Sequence, residues 1–219
     1  ERVHGLHNPN LLAACSPVVW IIDDDASIMH SHFARVGFQS RVFAASSLAT
    51  LCKGERMIAL LKESKPILLC IKLFHPPTVS GDRKLKARGW NYHNLCLAQL
   101  ALNSHVCMFA DSRCDTWSWT SMIQLAEHPR CDVVRWKWCM LASPSEKSLP
   151  YNRIWCVLTD MPIIDLSACK CDSHDRIPEA SRVSIRDSAF DLFACNLVRR
   201  LTESALLTAS NTGRMCSST

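Results

Sequence analysis

The spacing of apolar and polar positions changes several times along this chain, and each change predicts an element. Val18-Val19-Trp20-Ile21-Ile22 is an unbroken apolar run that stops at Asp23-Asp24-Asp25. From Ala26 the apolar positions move to helical spacing, at Ile28, Met29, Phe33 and Val36, and Gly37 stands where a helix can end in the left-handed conformation. Arg41 to Ala44 predicts a second strand, and Ser47 to Leu61 a helix with Gly54 as its weak point. Ile67 to Leu73 is apolar again and ends in His75-Pro76-Pro77-Thr78. Prolines have no N–H for a ladder, so the chain must leave the sheet there. Continuous apolar runs of this length belong to strands covered on both faces, as in a parallel sheet.

Asp82 to Arg88 is polar and basic and predicts a loop; Tyr92 to Asn103 predicts a helix with Leu95, Ala98 and Leu102 on one face. His105 to Ala110 predicts a strand, and Asp115 to His128 a helix capped by Asp115 or Thr116. Asp132 to Trp138 and Ile154 to Thr159 predict an antiparallel pair joined by the Ser/Pro/Lys loop Ala142 to Asn152. Cys169 to Arg186 is irregular. Ala189 to Leu207 closes the pattern as an amphipathic helix, with Phe190, Phe193, Leu197 and Leu201 inward and Arg199 and Arg200 outward. Strands alternating with helices give an α/β, Rossmann-like fold: a mostly parallel sheet with helices on both faces and an antiparallel edge strand pair. The expected organisation is a loose leader over residues 1–17, one domain over 18–209 and a tail over 210–219. In such sheets the ligand crevice lies outside the carboxyl ends of the strands, so the tip of the strand at 67–73 is the first place to expect a site.

Composition narrows the classes. A chain of 219 residues with 48% hydrophobic and 21% charged residues is long enough for one sizeable core. It holds only 6 glycines, too few to favour a glycine-rich phosphate cradle. The 13 cysteines are odd in number and irregularly spaced. With no signal-like opening, they predict an intracellular protein, nuclear or cytoplasmic, with buried reduced thiols. No apolar run approaches the roughly 18 residues of a membrane span. The formal charge of +5 is a mild bias that permits a DNA or RNA partner without demanding one.

The element order, with its terminal strand pair, resembles that of class I S-adenosylmethionine-dependent methyltransferases. His75-Pro76-Pro77-Thr78-Val79-Ser80 resembles the Pro-Pro-Cys-x-x-Ser signature of the DNA cytosine-C5 methyltransferases. Phe33-Ala34-Arg35-Val36-Gly37-Phe38 resembles the segment after their cofactor loop, and Arg41-Val42-Phe43 their second strand. Val106 to Pro162 also resembles a divergent methyltransferase-like domain of large eukaryotic proteins. It is marked by Trp117-Ser118-Trp119, by Val133-Val134-Arg135-Trp136-Lys137-Trp138-Cys139-Met140 and by Trp155-Cys156-Val157-Leu158-Thr159-Asp160-Met161-Pro162. The resemblance implies S-adenosylmethionine as cofactor and places it against Asp23, Asp25, Ser27, Ala44, Pro76 and Pro77. It places the nucleophile at Thr78, where the family has a thiolate. The glutamate that bonds the target base aligns with Ala110, and neighbouring Asp111 is its nearest substitute. The cofactor-loop glycines align with Asp25 and Ser27, and the acid expected on the ribose aligns with Ala44. With nucleophile, base-binding acid and loop glycines replaced, the expectation is a methyltransferase-like domain with a degenerate active site and no catalytic activity.

Other constellations point elsewhere. Arg83, Lys84, Lys86 and Arg88 follow the proline tip and could meet phosphates, the basis of an alternative reading as a non-catalytic nucleic-acid-binding or scaffolding domain. Trp117, Trp119, Trp136, Trp138 and Trp155 could stack on bases, though aromatics at such spacing are more often core. Asp23-Asp24-Asp25 resembles the acidic pocket of response-regulator receiver domains, but the tip of the central strand offers Lys72 and Leu73 where a phosphoaccepting aspartate is needed. A helix N-terminus is the plainer role for the triplet. Cys169, Cys171 and His174 are ligand types that zinc accepts, with Cys156 or Asp172 needed as a fourth.

Overall fold

The structure, a computed structural model, describes residues 17–24, 27–48, 50–73, 83–137, 154–163, 191 and 193–203, with 27, 46 and 83–86 described by their backbone only. Six strands form one sheet: β1 (Val18–Ile22), β2 (Gln39–Phe43), β3 (Leu68–Lys72), β4 (His105–Asp111), β5 (Asp132–Lys137) and β6 (Ile154–Thr159). Their spatial order is β2-β1-β3-β4-β6-β5. β1 pairs in parallel with β2 and β3, and β3 with β4, in the registers Trp20↔Arg41, Trp20↔Leu69 and Cys70↔Cys107. β6 runs antiparallel to both β4 and β5. The reversed strand therefore lies between β4 and β5, and β5 is the edge, running in the same sense as β4.

The handedness of crossovers explains the layers. The chain steps outward from β1 to β2, then returns across β1 to β3 and continues to β4. Right-handed connections must put the first crossover on one face and the next two on the other. α1 (Ser27–Arg35) accordingly covers the face built from Val19, Ile21, Leu68, Cys70, Cys107 and Phe109. α2 (Leu51–Ser64) and α3 (Arg83–Ala101) cover Trp20, Ile22, Leu69, Ile71, Val106 and Met108, joined there by α4 (Thr120–Ala126). The last helix, α5 (193–203), packs on the α1 face through Phe193, Leu197 and Leu201, all fully buried, with Arg199 outward as the sequence pattern predicts. Phe190 lies outside the described residues. Strand residues alternate between the two cores, which is why the runs at 18–22 and 67–73 are apolar throughout.

Several local expectations change. The basic segment expected as a loop is helical from Arg83 onward, so α3 begins nine residues before the predicted start at Tyr92. Arg, Lys, Leu and Ala are good helix formers, and a first turn without an apolar stripe is easily read as loop. The helix expected over 47–61 is a 3-10 turn (Ala45–Leu48) followed by α2. Thr50 separates them because its Oγ1 accepts from Lys53 N at 3.4 Å as an N-cap. Gly54 does not split the helix; its missing Cβ admits the Asn91 carboxamide, which donates to the carbonyls of Leu48 and Thr50, each at 2.8 Å. The helix expected over 115–128 is a 3-10 turn (Asp115–Ser118) followed by α4, and neither Asp115 nor Thr116 caps it. Trp119 holds the N-cap position of α4 without a side-chain bond, and Thr116 is buried. Gly37 ends α1 as predicted, at φ +87°, with Phe38 N donating to Phe33 O.

Candidate functional site

The sheet order reverses between β1 and β3: the crossover leaving β1 turns to one side and the one leaving β3 to the other. Diverging connections open a crevice at the carboxyl ends of such a pair. Three described strands bring a charged residue to that end of the sheet, just after β1 and at the last positions of β3 and β4.

Asp23 follows β1. Its N–H donates to Phe43 O at 3.1 Å, which ties it to the end of β2. Its carboxylate is 6% exposed and lies 3.4 Å from the ammonium of Lys72, the last residue of β3. Lys72 is 27% exposed, so a cation faces the crevice from the strand tip. Asp24 is exposed, and its Oδ1 accepts from Ala45 N at 2.9 Å. The carboxylates of Asp23 and Asp24 are thus each engaged by a partner. That bond brings the Asp24 carboxylate to the backbone just after β2. Ala44 itself is exposed and has no polar side chain to offer. Ser27 begins α1, while Asp25 lies outside the described residues, as do Pro76, Pro77 and Thr78.

Asp111 ends β4, 6% exposed. Its Oδ1 accepts from Arg113 N at 3.0 Å and Nε at 3.1 Å, and its Oδ2 from Arg113 Nη2 at 3.2 Å. This forked, charge-assisted pairing fixes the carboxylate. Ala110 belongs to the α3 core and its neighbour must point to the other face. Asp111 therefore takes over a function aligned with Ala110 only by turning round, and Arg113 already holds it.

Two residues beneath the tips were not singled out as a pair by sequence. Tyr92, on α3, is fully buried, and its hydroxyl has no hydrogen-bond partner among the described residues. Burial pushes its ionisation well up from the usual phenol value; the charge of Arg88 works against that, and Asp24 and Asp23 add to it. Those charges therefore lie within electrostatic reach of the hydroxyl. Arg88 is half-buried on α3, one turn before Tyr92, and so stands on a helix against the crevice rather than on a solvated loop. The side chains of Arg83, Lys84 and Lys86 are not described. The signal that could have found Tyr92 is its place in the apolar row of α3 with Leu95 and Cys96, as a phenol among apolar side chains.

The tryptophans resolve as core. Trp136 and Trp155 are buried opposite each other in the β5–β6 register, and Phe193 stacks on Trp155 at 4.3 Å between centroids. Trp117 and Trp119 are partly buried against the α3 core, and Trp138 lies outside the described residues. Cys169, Cys171 and His174 also lie outside them; among the described residues no three His, Cys, Asp or Glu side chains gather as a metal site. No described helix is long and apolar enough to cross a membrane.

The described residues define a Rossmann-like α/β domain whose strand order reverses between β1 and β3. No protein-family model matches the chain, and no curated protein matches it in sequence. Solved structures do match, among them the crystal structure of the S. pombe Dnmt2 methyltransferase, at a TM-score of 0.44 and 8% identity. That match covers 74% of this chain and 57% of the other, so the chain spans a little over half the length of that protein.

Proposed function

We propose that this chain is a methyltransferase-like domain of the cytosine-C5 type that binds S-adenosylmethionine, or its demethylated product, without transferring a methyl group. The observation that carries the reading is the Asp23–Lys72 pair on the floor of the β1/β3 crevice. A zwitterionic amino-acid group needs an anion partner and a cation partner side by side, and this pair offers both at the place where Rossmann-like sheets bind ligands. Asp24, at the end of β2, stands where a ribose hydroxyl would find an acceptor. The Tyr92 hydroxyl supplies a further buried polar group beneath the same tips. Absence of transfer is supported by the resemblance, which sets Thr78 where the family has its thiolate and Ala110 where it has its base-binding glutamate.

Calorimetric titration with S-adenosylmethionine and S-adenosylhomocysteine tests the reading. Both should bind, and Lys72→Met should weaken binding roughly 10- to 100-fold, the worth of about one charge-assisted hydrogen bond. No heat at millimolar ligand, with the chain folded by circular dichroism, overturns the reading. If the chain instead binds DNA or RNA with a steep salt dependence, the non-catalytic nucleic-acid scaffold takes its place, centred on Arg83, Lys84, Lys86 and Arg88.

A further inference from the structure

The free margin of the sheet points to a second, independent binding surface. We propose that the outer edge of β2 receives an extended acidic segment of a partner protein, which adds a strand beside it.

The backbone sets the direction. Gln39 N donates to Pro17 O at 3.2 Å, and Phe43 O accepts from Asp23 N at 3.1 Å. In a parallel ladder this phase turns the peptide groups of 39, 41 and 43 toward β1 and those of Ser40 and Val42 outward. Among the described residues β2 is the last strand of the sheet on this side. None of its residues is buried, whereas the opposite edge, β5, buries Val134 and Trp136. Val42 is 45% exposed in the middle of the strand, and Val36, just after α1, is 40% exposed. Register places Val42 beside Ile21 and Ser40 beside Val19, on the α1 face. His30 of α1 is hydrogen-bonded to Ser40 there.

Native edges are usually blunted by charge, bulges or cover. Arg41 is the charge available here, but its guanidinium lies 5.8 Å over the ring of Phe43 on its own strand, which leaves the outward peptide groups accessible.

Charge selects the occupant. Neither α1 nor β2 contains an acidic residue, while Arg35, Arg41 and His30 are exposed. A second copy of the chain pairing across β2 would set Arg41 near Arg41, which like-charge pairing disfavours. A nucleic acid backbone would meet the cations, but phosphodiesters donate no hydrogen bonds, and the outward carbonyls of Ser40 and Val42 need donors. An extended peptide supplies donors and acceptors in alternation. Carboxylates opposite Arg41 and an apolar side chain opposite Val42 complete the match.

The test uses the full chain, labelled with nitrogen-15, and two capped seven-residue peptides, one alternating Glu and Val and the other Lys and Val. The Glu peptide should shift the amide signals of Ser40, Val42 and their neighbours and bind at least tenfold more tightly than the Lys peptide. Val42→Pro removes an outward N–H without touching the β1 ladder and should abolish the shifts. Arg41→Glu should reverse the preference toward the Lys peptide, a gain that misfolding cannot produce. Shifts absent from β2, equal affinity for both peptides, dimerisation through β2, or a DNA oligonucleotide that outcompetes the Glu peptide there would each overturn the proposal. None of these results depends on whether the crevice binds a cofactor.

Discussion

Asn91 and Gly54 show how tightly single residues are specified in this fold. The Asn91 carboxamide nitrogen spans the gap between the 3-10 turn and α2, donating to Leu48 O and Thr50 O. A Cβ at Gly54 would sit inside that carboxamide. Gly54→Ala would ordinarily favour a helix by up to about 1 kcal/mol. Here the clash should reverse the sign and destabilise by roughly 1–3 kcal/mol, the usual cost of overpacking, read from urea midpoints. A sequence reader sees only a glycine in a helical stretch and marks it as a weakness. The contact that gives it a purpose is 37 residues away, between Gly54 and Asn91, and nothing local announces it.

Among the elements, α5 depends most on one residue. Phe193 sits among Trp155, at 4.3 Å and nearly parallel, Trp136 at 5.7 Å and Phe109 at 5.5 Å. These rings come from β6, β5 and β4, so one side chain ties the last helix to the antiparallel margin of the sheet. Phe193→Ala should cost about 3–5 kcal/mol and speed amide exchange in α5 before the parallel strands open, which hydrogen exchange would show. The periodicity of Phe193, Leu197 and Leu201 made this helix legible, because a one-sided apolar row needs only local sequence to be seen. Start and stop points were less legible. α3 extends back to Arg83 and α2 begins only after Thr50, since capping and helix propensity act through a few tenths to about 1 kcal/mol each and burial does not mark them.

The far end of the sheet is held by a polar clasp that complements the crevice. Asp160 Oδ1 accepts from Val106 N at 2.8 Å, and its Oδ2 bonds His105 and Arg130 at 3.1 and 3.2 Å. Arg130 also donates to Leu100 O at 2.8 Å. The amino end of β4, the carboxyl end of β6 and the end of α3 are thereby locked together.

At the scale of the whole molecule, buried thiols couple stability to pH. Cys96 and Cys107 are fully buried, and desolvation pushes both well above the ordinary thiol value; for Cys107 its bond to Cys70 adds to this. Cys131 is pushed up to about 11, again chiefly by burial. A group whose folded value is raised stabilises fully below its unfolded value and loses that stability as pH rises toward the folded one. With an unfolded thiol near about 8.5, the urea midpoint should hold steady to about pH 8. It should then fall as the unfolded thiols ionise while Cys96 and Cys107 stay protonated in the fold. Cys107→Ser would be a poor control, because it buries a hydroxyl; Cys107→Ala should make the alkaline slope shallower while Cys96 and Cys131 keep their share, and an unchanged slope would refute the assignment.

The order of elements, the class of the sheet and the faces of the helices were set by the sequence alone, because burial on one face or two writes a period of 3.6, 2 or none directly into the residue string. The antiparallel pair was legible for the same reason, though not that its second strand would lie inside the first. What only the tertiary structure decided is the site: that Lys72 neutralises Asp23, that Asp24 reaches the end of β2, and that Arg113 holds Asp111. The first two join groups far apart in the chain and the third is a local turn; all three are set by how individual polar groups face one another in space, which leaves no periodic trace along the sequence.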